Sequence, residues 1–158
     1  MDLLVKLYDV EPDHALRQAL GAEGINVRRA LAPELDTVRL WVTYRFNGRW
    51  ASEAQVAMTR DPGSCLIAVR QGRMLGFACY DAVALGMFGP IGVDASMRAK
   101  GIGRALLLET LLAMRARGYA YAVVGGAGPQ DFYIRTVGAV PVEGSERSVY
   151  GDLLKAQD

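Results

Sequence analysis

Apolar positions recur in two rhythms along this chain, and the alternation between them lays out its elements. A short apolar run, Leu3 to Tyr8, comes first. Pro12 then opens a helix that ends at Gly21 and Gly24, and "INVRRAL", residues 25–31, alternates like a strand. Pro33 begins "PELDTVRLWVTYRF", in which Leu35, Val38, Trp41 and Val42 share a stripe, and Ser52 is placed to cap a second helix through "EAQVAMTR". Two apolar runs, near 64–70 and 73–83, flank "RQGR" and read as a hairpin turning at Gln71 and Gly72. The next run, "LGMFGPIGVD", is interrupted by Gly89 and Pro90, which predicts a bulge.

Helical spacing returns at Leu106, Leu107, Leu111 and Met114, in a helix that starts near Gly101 and stops at Gly118, a good C-cap residue. "YAYAVVGG" is a buried type of strand. "GAGPQDFYIRTVG" reads as a loop and a short helix with Pro129 in its first turn, and one or two closing strands are expected around "AVPV" and "RSVYG". Strands and helices are intermixed without repeats or low-complexity linkers, so the expected class is a single α/β domain. Residues 1–24 form an N-terminal strand-helix extension, open to two uses: adding a strand to a sheet edge or docking a second subunit of a homodimer.

Composition narrows the partners. The 158 residues are 51% hydrophobic and 22% charged, and 18 basic against 17 acidic residues leave a formal charge of +1. No global field points to nucleic acid or an anionic membrane. The N-terminal apolar run is too short for a signal peptide and no stretch of about 18 apolar residues could span a bilayer, so the cytoplasm is the expected compartment. In the simplest hairpin register Cys65 and Cys79 point to opposite faces; they read as buried small hydrophobes, and no metal set is expected.

One local feature stands out. Arg98, Lys100 and Arg104 surround a helix start after which no acidic residue appears before Glu109. A helix N-terminus favours anions, so each cation there costs about 0.3 to 1 kcal/mol. Three explanations compete: the cations extend into screened solvent, a carboxylate such as Asp94 pairs with one of them, or a phosphate binds the amides that Gly101 and Gly103 leave approachable. The glycines favour the phosphate. A dinucleotide fingerprint fails, because residues intervene between Val93 and Gly101 and Leu106 holds the third glycine position. A nucleoside-triphosphate loop fails too, since Arg104 and Ala105 follow the last glycine.

"RAKGIG", Arg98 to Gly103, resembles the R/Q-x-x-G-x-G/A signature of the GNAT (GCN5-related) N-acetyltransferases, with a strand ending "IGVD" before it and a strand and an "FY" helix after it. The resemblance covers roughly residues 25–155, so residues 25–158 are assigned to the acetyltransferase domain. It implies a mixed, mostly antiparallel sheet of six to seven strands, a central splay between strands 4 and 5, and helices on both faces. It further implies acetyl-coenzyme A as co-substrate, with Ile91, Gly92 and Val93 holding the pantetheine arm and Arg98, Ala99, Lys100, Gly101, Ile102, Gly103 and Arg104 forming the pyrophosphate loop. The implied reaction is direct attack of a primary amine, of a small molecule or a peptide N-terminus, on the thioester.

Tyr133 matches the position of a tyrosine that protonates the leaving sulfur in the family. Its alternative is packing against the sheet, and one departure bears on it: four residues separate Tyr133 from Gly138 where the family has three. The strand before the signature carries no acid, so the base candidates are Glu53, Asp81 and Asp94; Glu53 falls in the segment that lines the acceptor pocket in relatives, a plain capping-region role at the helix head is the favoured reading of it, and a water relay needs no dedicated base. His14 reads as a surface residue. Trp50, within an aromatic group that includes Trp41, Tyr44 and Phe46, is assigned to the acceptor wall. The glycine-rich "VVGGAGPQ" offers amides, at Gly126 and Gly128, to the carboxylate of an amino-acid-like acceptor. A domain that binds acyl-coenzyme A or a partner without turnover is the competing function.

Overall fold

The computed structural model describes residues 1–157. In chain order they form β1 (Leu3–Lys6), α1 (His14–Ala22), β2 (Asn26–Arg29), α2 (Leu35–Arg45), α3 (Gly48–Met58), β3 (Cys65–Arg70) and β4 (Arg73–Tyr80). There follow β5 (Met87–Val93), α4 (Ile102–Arg117), β6 (Tyr121–Val124), α5 (Gln130–Val137) and β7 (Val140–Pro141). All seven strands join one sheet in the order β2-β3-β4-β5-β6-β1-β7. Every neighbouring pair is antiparallel except β5 and β6, which run parallel. This is the expected mixed sheet.

Two apolar layers flank it. On one face Ile102, Leu106, Leu107, Leu111 and Met114 of α4 are at most 1% exposed and pack with Leu3, Val5, Ala78, Phe88 and Tyr133. Each such side chain contributes on the order of 1.5 to 3 kcal/mol by leaving water. On the other face α2 and α3 cover Ile67, Phe77, Cys65 and Cys79 with Val38, Trp41, Val42, Ala51, Ala54 and Ala57. The three alanines, one per turn, let α3 lie close to the sheet.

Three sequence expectations are corrected. Asn47, not Ser52, caps α3: its Oδ1 accepts from the Trp50 amide at 2.9 Å, while Ser52 lies inside the helix and donates to the Gly48 carbonyl. The β3–β4 hairpin does turn at Gln71 and Gly72, but a bulge between Ala68 and Val69 shifts the register by one, so Cys65 stands directly opposite Cys79. Both thiols therefore share the α3 face, fully buried and unbridged. Finally, residues 147–151 form a turn rather than a closing strand. The place beside β6 is already taken by β1, whose Leu3 pairs with Val124 on one side and Pro141 on the other.

The N-terminal strand is thus interior to the sheet, with β7 outside it. Arg115 of α4 ties the following segment down by donating to the carbonyls of Leu7 and Val10 at 3.2 and 2.7 Å. The C-terminal residues, having no strand to enter, cross toward α3, where Arg49 donates to the Leu154 carbonyl at 2.7 Å.

Candidate active site

The parallel strands β5 and β6 pair only at Met87–Val123 and Phe88–Val124. Beyond Phe88 the two part. The cause is local: Ala78 pairs with Ile91 and Tyr80 with Phe88, so Gly89 and Pro90 together oppose one residue and make the bulge that the sequence predicted. Counting the N-terminal strand as β1 places the splay between the fifth and sixth strands. The Asp94 amide donates to Leu75, toward β4, so strand alternation turns the Gly92 amide to β4 as well and leaves the amides of Ile91 and Val93 on the open edge. Gly92 contributes space: a Cβ there would come within 2.4 Å of the Phe46 ring.

From Val93 the chain passes through a short turn to the start of α4. Ala99 and Gly101 both have positive φ, 64° and 88°, which bends the loop back so that the amides of Gly101, Ile102, Gly103 and Arg104 share one end of the helix. None has a partner among the described residues. Gly103 is open, its nearest neighbours for a Cβ being Val93 at 3.7 Å and Phe132 at 4.0 Å. Free amides, a fixed dipole and exposed Arg98 and Lys100 fit a diphosphate. The counter-charges are distributed differently from the simplest expectation. Arg104 turns away to Asp13, the residue that caps α1, at 3.1 Å. Asp94 pairs with Arg45 at 2.8 Å and with Ser96, which pull its carboxyl down to about 2. Arg98 donates weakly to the Val93 carbonyl at 3.4 Å, and Lys100 has no partner among the described residues.

Tyr133 sits at the fork. Its ring meets Phe88, the last paired residue of β5, edge-on at 6.1 Å, and Phe132 at 5.2 Å. Burial pushes its hydroxyl up to about 12, so it is protonated at neutral pH. The extra residue before Gly138 lies within the helix, since α5 runs on to Val137 and Gly138 closes it in a left-handed conformation.

On the opposite face, Glu53 lies in the second turn of α3, past the cap, half-buried and without a hydrogen-bond partner among the described residues. Burial raises its carboxyl, and its charge also acts on the Cys79 thiol and the Tyr150 hydroxyl. Trp50, one turn earlier, stacks on Phe46 at 5.0 Å. Tyr150, which sequence reading missed because it fell in an expected strand, rests against Gly125 and Gly126, within 3.3 Å of a Cβ at either. The glycine loop after β6 is occupied from within: the Gly126 amide donates to Asp2 Oδ1 at 2.9 Å and the Ala127 amide to the Met1 carbonyl at 3.1 Å. Gly128 is exposed. Asp81 is remote from this group; it is held by the Tyr119 hydroxyl and the Gly86 amide. His14 is exposed at the start of α1.

The family model of the acetyltransferase (GNAT) family matches residues 29–135, which contain the fork and the free helix start. The chain belongs to the GNAT acetyltransferase family. Solved GNAT structures share its fold. The GCN5-related glucosamine N-acetyltransferase region of a fungal multi-domain GH3 β-N-acetylglucosaminidase is 18% identical with a TM-score of 0.71, over 86% of this chain and 19% of that one. A GCN5-related N-acetyltransferase from Sphaerobacter thermophilus is 23% identical with a TM-score of 0.64, over 88% and 47%. A GNAT family acetyltransferase from Brucella melitensis, solved in complex with acetyl-CoA, is 21% identical with a TM-score of 0.55, over 70% and 80%. The chain spans about a fifth and about half of the first two. Comparison with curated proteins gives no match.

Proposed function

We propose that this GNAT chain is an acetyl-CoA-dependent N-acetyltransferase acting on a primary amine. The observation that carries the reading is the parting of β5 from β6 beside the unpartnered amides of α4, with Tyr133 at the fork. Ile91 and Val93 would hold the pantetheine arm as an added strand. Arg98, Lys100 and the amides of Gly101 to Arg104 would hold the diphosphate, with Ala99 shaping the loop. Bound there, acetyl-CoA supplies the acetyl group as a thioester.

The chain's own groups manage the protons. A carbon–nitrogen bond forms as the amine attacks and the carbon–sulfur bond breaks; the amine proton passes to Glu53, directly or through water, and Tyr133 donates a proton to the departing sulfur. Burial suits the base, since it makes Glu53 a stronger one than an exposed carboxylate, and Tyr133 carries its proton at neutral pH. Open-edge amides at Ile91 and Val93 can polarise the thioester carbonyl. The unbridged thiols of Cys65 and Cys79 fit a reducing, cytoplasmic compartment, and no helix of the described residues is long and apolar enough to cross a membrane. Incubation with acetyl-CoA and a panel of amines tests the reading. Amine-dependent thiol release is expected; coenzyme-induced stabilisation with no release on any amine would leave a binding domain instead.

A further inference from the structure

We propose that Asp2 is a specificity-determining residue that excludes acceptors carrying a carboxylate and favours amines with a second cationic group; this rests on the acetyltransferase reading above. The loop that follows β6 begins one residue past the Phe88–Val124 pair where the strands part, so it borders the place where an acceptor amine meets the donor. A free glycine-rich loop before a helix would bind a carboxylate there. In this chain two of the loop's amides are already used. Asp2 Oδ1 accepts from the Gly126 amide at 2.9 Å, the Met1 carbonyl accepts from Ala127, and the Ser148 hydroxyl donates to the same Asp2 oxygen at 2.5 Å.

Neither Asp2 nor Glu53 has a salt-bridge partner among the described residues. Tyr150 lies between the two walls, against Gly125 and Gly126, and both carboxylates act on its hydroxyl. Arg49, one turn before Glu53 on α3, is turned to the Leu154 carbonyl. An incoming acceptor therefore meets negative charge on the α3 side and on the β6 side. A carboxylate on the acceptor would be repelled and would find the Gly126 and Ala127 amides taken, whereas a distal ammonium would be attracted.

Three amines of nearly equal length isolate the effect: 1,4-diaminobutane, n-butylamine and 4-aminobutanoate differ only at the end remote from the reacting nitrogen. With wild-type protein, kcat/KM for acetylation is expected to fall at least tenfold from the diamine to the amino acid, with n-butylamine between. The gap should shrink as ionic strength rises. Asp2→Asn keeps an acceptor for Gly126 and loses the charge; the diamine-to-aminobutanoate ratio should drop at least threefold while n-butylamine turnover holds. Equal rates on all three amines, or preference for 4-aminobutanoate, would overturn the inference and leave the acetyltransferase intact. An unchanged ratio in a folded Asp2→Asn protein would remove Asp2 from the role. Silence on these three amines with turnover of another amine in the panel would overturn the inference alone, and silence across the whole panel would overturn the acetyltransferase reading with it.

Discussion

Two glycine-containing loops flank the fork of β5 and β6, and they are finished in opposite ways. At the start of α4, the amides of Gly101 to Arg104 have no partner among the described residues, and Arg98 and Lys100 are exposed beside them. At the start of α5, the amides of Gly126 and Ala127 are met by Asp2 and Met1, and Tyr150 lies across the glycines. Both are short junctions between a strand and a helix, and both carry glycine where backbone must be reached. What separates them is the chain laid over each. A helix start left open keeps its affinity for anions; loop amides that the chain itself satisfies, as at Gly126 and Ala127, no longer offer theirs.

The contrast is broken most completely by Gly103→Glu, which sets a carboxylate among the free amides and so finishes the first loop in the manner of the second. Only ordinary contacts surround a Cβ at this position, so the fold is retained. Coenzyme A at about 100 times its Kd should stabilise the wild type by about 2.7 kcal/mol through mass action. In the variant this increment should vanish from the thermal midpoint, and a persisting shift would show that the diphosphate lies elsewhere.

Tyr133→Phe keeps the ring packed on Phe88 and Phe132 and removes only the proton. Turnover should fall by about 100-fold, within the usual range for a lost general acid, with the coenzyme KM nearly constant. Unaltered kcat would return the residue to the core. Glu53→Gln probes the acceptor side and should cost about tenfold in kcat. Because burial raises the Glu53 carboxyl, the wild-type rate should climb with pH as that group deprotonates, and the variant should lack this limb. An identical pH profile would argue for a water relay.

The smallest effect belongs to the Arg45–Asp94 pair behind the donor loop. Arg45 is 40% exposed and Asp94 23%, so solvent screening holds the pair to less than about 1 kcal/mol. The folded-state carboxyl is held down to about 2, below its unfolded value near ~4. The contribution is therefore complete above the unfolded value and is lost as pH falls toward 2. Urea midpoints for Asp94→Asn should lie just below wild type at pH 7 and converge with it near pH 2; a gap that widens in acid would contradict the pairing.

The open loop before α4 was legible because its determinants are contiguous. Gly89 and Pro90 announce the bulge, and Arg98 to Gly103 carry the anion loop in six consecutive residues. The elements around it followed from hydrophobic rhythm. The proposed acceptor side was legible only in part: Glu53 and Gly126 were named from the sequence and Asp2 and Tyr150 were not, since the four come from separate parts of the chain and only the fold brings them together. The cysteines show a second limit: one extra residue in β4 reverses which face Cys65 and Cys79 share, and no composition signal marks it. The strand expected at 147–151 failed for a topological reason, because a residue's own propensity does not reveal that β1 has taken its place.

That place has a cost in time. Leu3 finds Val124 and Pro141 only after the long stretch between them has been made, so β1 stays unpaired on the ribosome until β6 has emerged. Loop-closure entropy and high contact order make this docking a late step, in a nearly finished sheet that waits with an open gap beside β6. A fusion that holds the leading residues away from that gap would leave two exposed strand edges, and such edges are where misassembly starts.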